Sequence, residues 1–98
     1  MTLEQEAQDG ERVKQFLGDD AIKAAFARID TLMFGKFKDA QTEEQRLRAW
    51  AVAQAVDEIQ REMRVVVSTG ERARDELGKL QRKSEMEHER AKRQAGRF

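Results

Sequence analysis

Few side chains in this sequence are placed to do chemistry. His88 is the single histidine and lies in a charged tail with no companion cysteine, which argues against metal binding or nucleophilic catalysis through it. Two adjacent carboxylate pairs, Glu43/Glu44 and Asp57/Glu58, are the remaining candidates for acid–base work. Neighbours on a helix point about 100° apart, and each pair has basic residues close by, so both read as solvated helix face. Gly18, Gly35, Gly70 and Gly78 lack the spacing of a phosphate-binding loop. The expectation is a non-enzyme with no metal and no cofactor.

Recognition of other molecules has more to work with. Residues 82–98 hold six bases, Arg82, Lys83, Arg90, Lys92, Arg93 and Arg97, against Glu85, Glu87 and Glu89, a net of +3. Such a tail can neutralise phosphates, with binding that weakens steeply as salt rises. The three glutamates and the lack of any aromatic before Phe98 suit a solvated helix face equally well. A docking peptide anchored by Phe98 is a third option. Residues 1–20 are the counterpart, with six acids against two bases, a net of −4. Opposed ends suit head-to-tail pairing or contact with different partners.

The whole chain balances 19 bases against 19 acids over 98 residues, which argues against a surface that is basic throughout. Its apolar and charged fractions are both 39%, and proline is absent, so the commonest helix breaker is missing and an all-α fold follows. Lack of cysteine fits a reducing compartment. No apolar run reaches the roughly 20 residues of a membrane span, and the acidic start is unlike a signal peptide. The cytosol, or a particle assembled there, is the expected location.

The elements follow from caps and periodicity. An acidic segment, 1–18, has one apolar patch at Val13, Phe16 and Leu17, so a helix there is expected to pack only its last turn. Gly18 stops it, and Asp19 or Asp20 caps the next helix. That helix spans about Asp20 to Lys38, with Ile22, Phe26, Ile29 and Met33 on one face. Thr42 and Gln45 make a capping box for a third helix that lines up Leu47, Ala51, Ala55, Ile59 and Met63 and carries Trp50. The short connection predicts an antiparallel helical hairpin over 19–80. Ser68-Thr69-Gly70 reads as a stop, with Gly70 just past the helix end. Residues 71–80 resume as helix, and 81–98 form a charged tail, helical or disordered. Heptads do not extend far enough for a long coiled coil.

A two-helix hairpin cannot bury Phe26, Phe34, Phe37, Trp50 and both stripes alone. Either the end segments fold back or a second copy covers them. A homo-oligomer is expected, with an interface drawn from Ile22, Phe26, Ile29, Met33, Phe34, Phe37, Leu47, Trp50, Ile59 and Met63. Trp50 reads as a partner anchor or as a boundary residue closing the hairpin.

The run Ala25-Phe26-Ala27-Arg28-Ile29-Asp30, then Glu43-Glu44-Gln45-Arg46-Leu47-Arg48-Ala49-Trp50-Ala51 and Val67-Ser68-Thr69-Gly70-Glu71-Arg72-Ala73, resembles small helical proteins of tailed bacteriophages encoded among head-assembly and DNA-packaging genes. The likeness covers residues 16–80. It implies a structural or assembly-accessory protein that contacts other phage proteins and supplies no catalytic residues. Two other readings stand beside it: a nucleic-acid-binding packaging accessory, in a small-terminase-like role, and a small inhibitor of a host protein.

Overall fold

The computed structural model describes residues 1–96, and all its regular structure is helical: α1 (Leu3–Gly18), α2 (Asp20–Lys38) and α3 (Glu43–Ala95). Arg97 and Phe98, named above as contact residues, lie outside the described residues.

Each helix starts on a polar side chain that satisfies a first-turn N–H. Thr2 caps α1, its hydroxyl accepting from the Gln5 N–H at 3.1 Å. Asp19, in extended backbone, turns the chain after Gly18 and accepts from the N–H groups of Ala21 and Ile22 at 2.9 and 3.2 Å. Thr42 accepts from the Gln45 N–H at 3.1 Å, while the Gln45 side chain reaches past Thr42 to accept from the Gln41 N–H at 2.8 Å. The box is thus one residue wider than the reciprocal form expected from Thr42 and Gln45.

Two expectations are corrected here. Gly70 does not end a helix: α3 runs unbroken for 53 residues, and no glycine takes a positive φ among the described residues. The reason Gly70 is glycine is its neighbour across the fold. A Cβ on Gly10 would stand 2.7 Å from Gly70 Cα, and one on Gly70 would stand 2.6 Å from Gly10 Cα. The backbones of α1 and α3 therefore meet at a distance that excludes any side chain, and Gly10 and Gly70 are both buried.

The second correction concerns α1, which packs along its length and not only by its last turn. Leu3, Glu6, Val13 and Leu17 are half-buried around Gly10, and α1 has the most extensive contact with α3 of any helix pair. Glu11 meets Arg74 at 3.0 Å and Lys14 meets Glu71 at 3.8 Å, so the two helices run in opposite directions. Both pairs are open to solvent, Glu11 alone being half-buried, and align the helices more than they stabilise them.

The seam on α3 is Ala49, Ala53, Val56, Gln60, Met63, Val67 and Gly70, all buried or half-buried. Its alternating steps of four and three are those of coiled-coil packing. Ile22, Phe26, Ile29 and Met33 of α2 repeat the same steps and are also half-buried. A heptad seam is thus present. It escapes notice in the sequence because small and polar residues occupy many of its positions.

Candidate interaction surfaces

The residues expected at an interface divide into two groups. Ile22, Phe26, Ile29, Met33 and Met63 are half-buried within the chain's own packing. Phe34, Phe37, Leu47, Trp50 and Ile59 are exposed, Phe34 by 69% and Trp50 by 56%. The line Leu47, Ala51, Ala55, Ile59 is exposed throughout. Its four-residue steps drift around the helix, away from the seam that starts at Ala49.

Near the α2–α3 connection the exposed residues gather. Phe34, Phe37, Trp50, Met33, Ala49 and Ala53 border one shallow concavity of about 320 Å³, and Leu47 joins Phe37 and Trp50 around an adjoining one. The local reason is the register of the two helices. Met33 and Ala49 take the seam, so Phe34 and Trp50, one residue further on in each helix, are turned about 100° out of it. The result is an aromatic patch with water on its open side. A second apolar strip, Ile59, Met63 and Val66 with Val13 of α1, flanked by Glu58 and Glu62, lies further along α3.

The chain encloses very little. Ala49 and Ala73 are the only buried apolar side chains among the described residues. The accessible surface is 8297 Å², against about 5700 Å² for a compact monomer of this mass. The radius of gyration, 23.3 Å, compares with about 13 Å for a compact chain of this length.

The far end of α3 carries the predicted cationic contacts. Arg82, Lys83, Arg90, Lys92 and Arg93 are all exposed on helix, beyond the stretch of α3 that α1 covers. His88 lies there too, fully in the charged stretch and exposed. Of the paired carboxylates, Glu43 meets Arg46 at 3.6 Å, Glu44 meets Arg48 at 3.0 Å and Glu58 meets Arg61 at 2.9 Å. Their geometry is that of exposed ion pairs along a helix. Among the described residues no three His, Cys, Asp or Glu side chains gather where they could hold a metal, and no helix is long and apolar enough to cross a membrane.

The Gly10–Gly70 contact and the Thr2 cap are absent from the expectations drawn from the sequence. The Thr-x-x-Gln spacing of Thr2 and Gln5 repeats that of Thr42 and Gln45 and was the available signal. Comparison of the chain with models of known protein families, with curated proteins and with solved structures finds no match.

Proposed function

We propose that this chain is a non-enzymatic assembly protein. In this reading α1 and α2 together form one arm, broken at Gly18–Asp19, of an antiparallel helical hairpin whose other arm is α3. Copies of the hairpin associate through the aromatic patch of Phe34, Phe37, Leu47 and Trp50. The end segments then engage other components of the same particle, and the phage head-assembly setting implied by the resemblance is the proposed context, in the virion or the host cytoplasm.

The observation that carries the reading is the surface excess, roughly 2600 Å² beyond a compact monomer. A stable interface needs only about 800 Å² from each partner. Elongation accounts for part of the excess, but 55–69% exposure of Leu32, Phe34, Leu47 and Trp50 leaves apolar area for a second copy to cover, at about 25 cal/mol per Å².

Sedimentation of the full chain tests it. The expected result is a mass of two or more chains at micromolar concentration, reduced by Trp50→Lys together with Phe34→Lys while helicity is retained. A wild-type monomer at those concentrations overturns the reading.

A further inference from the structure

Because α3 does not stop at Gly70, positions on either side of that residue share one helical phase. Starting at Arg61 and stepping by three or four residues gives Arg61, Arg64, Ser68, Arg72, Asp75, Lys79, Arg82, Met86, Arg90 and Arg93. All ten are exposed, and seven of them are Arg or Lys against one acid. In linear order these bases are diluted by Glu62, Glu71, Glu76, Glu85, Glu87 and Glu89. On a continuous helix those acids fall to the sides of the line.

The line lies on the side of α3 away from Gly70, Ala73 and Leu77, the residues buried or half-buried towards α1. Arg61 is paired to Glu58 at 2.9 Å, and none of the other six is ion-paired to another described residue. The track is unbroken and about 48 Å long at 1.5 Å per residue.

We infer that this outer face of α3 is a binding track for the phosphate backbone of duplex nucleic acid. Six of its seven bases are arginine, whose planar fork suits phosphate oxygens. The cations fall in groups, Arg61/Arg64, Arg72, Lys79/Arg82 and Arg90/Arg93, roughly 13–16 Å apart at 1.5 Å per residue, and a helix laid on a duplex likewise meets phosphates in groups, where it crosses the strands. The track contains no aromatic residue, so it lacks the stacking platforms by which single strands are held. Only Met86 is apolar within it, so it lacks the face that a membrane-surface helix inserts. The inference stands apart from self-association, since the aromatic patch lies towards the other end of α3.

The test is fluorescence anisotropy of a labelled 24-base-pair duplex with the full-length chain at low salt. Wild type is expected to bind with a log–log salt slope of about −5, from six or so neutralised phosphates. Replacing Lys79, Arg82, Arg90 and Arg93 by Gln is expected to weaken binding by at least roughly tenfold. Replacing Lys23, Arg28, Lys36 and Lys38 of α2 by Gln removes the same charge off the track and is expected to change it little. Circular dichroism and sedimentation of both variants show that helix and assembly persist. The inference is overturned if duplex produces no change up to about 100 µM protein, the weak end of non-specific binding. Equal loss in the two variants overturns it as well. So does tighter binding to a single strand of the same length or to phosphatidylserine vesicles.

Discussion

Gly10 and Gly70 meet back to back where α1 crosses α3, each backbone occupying the space a side chain on the other would need. A Cβ on Gly10 would also approach the Val66 carbonyl oxygen to 3.1 Å, and one on Gly70 the Glu6 carbonyl oxygen to 2.9 Å. Backbone cannot swing aside as a flexible side chain can, so the crossing distance depends on both residues.

Gly10→Ala and Gly70→Ala are each expected to destabilise the fold, by up to about 2 kcal/mol net, since overpacking a tight contact costs about 1–3 kcal/mol. The gain in helix propensity, about 1 kcal/mol, offsets only part of the clash. Gly35 and Gly78 are internal controls. A Cβ at Gly35 meets nothing within 4 Å, and one at Gly78 meets only the Arg82 side chain at 3.9 Å. Gly35→Ala and Gly78→Ala should therefore stabilise by about 0.5–1 kcal/mol. Urea unfolding followed by circular dichroism separates the two pairs, and stabilisation by Gly70→Ala would refute the close crossing.

Loss of a cap has a definite size. Thr42→Ala leaves the Gln45 N–H without its 3.1 Å acceptor and should cost about 1 kcal/mol, whereas Thr42→Ser should cost much less. Asp19→Ala removes an oxygen shared by two N–H groups and should cost at least as much. Thermal melts of the three variants check the order.

The ion pairs between α1 and α3 are expected to contribute little. A double-mutant cycle on half-buried Glu11 and exposed Arg74 should return a coupling of about 0.2–1 kcal/mol that shrinks as salt is raised. A coupling several times larger and insensitive to salt would mean that this contact is shielded from water.

Trp50 is a built-in reporter as the only tryptophan. At 56% exposure its emission in a dilute monomer should resemble that of a solvated indole. It should move to shorter wavelength as concentration rises and a second copy covers the patch. An emission maximum unchanged from sub-micromolar to high micromolar concentration would place Trp50 outside any interface.

Deleting residues 81–98 should leave the packed region standing. Every described residue from Gln81 to Gly96 is exposed, so the melting midpoint of the shortened chain should stay within about 3 °C of the parent. A larger fall would show that the far end of α3 has a partner in solution.

The parts legible in the sequence are those set by local chemistry. The bounds of α2, the Asp19 cap and the start of α3 at Thr42 each depend on residues within one turn of one another. Gly70 was misread because glycine serves both at helix ends and at close approaches, and its counterpart Gly10 is distant in sequence. The α3 seam was misplaced for a related reason. Reading by bulk favours Leu47 and Ile59, but helices that approach closely select Ala49, Ala53 and Gly70 and leave the bulky residues outside. The arginine track was hidden by the same error, since a stop at Gly70 would have uncoupled the phase of Arg61 and Arg64 from that of Arg82 and Arg93.

An unbroken α3 also fixes a length. Trp50 and Arg90 belong to one helix with no proline among its residues, so they are held about 60 Å apart at 1.5 Å per residue. Whatever docks at the aromatic end and whatever docks at the cationic end are thereby kept at a set spacing. The interval is set by the helix alone, at 5.4 Å for every turn, as the divisions of a ruler are set by its scale.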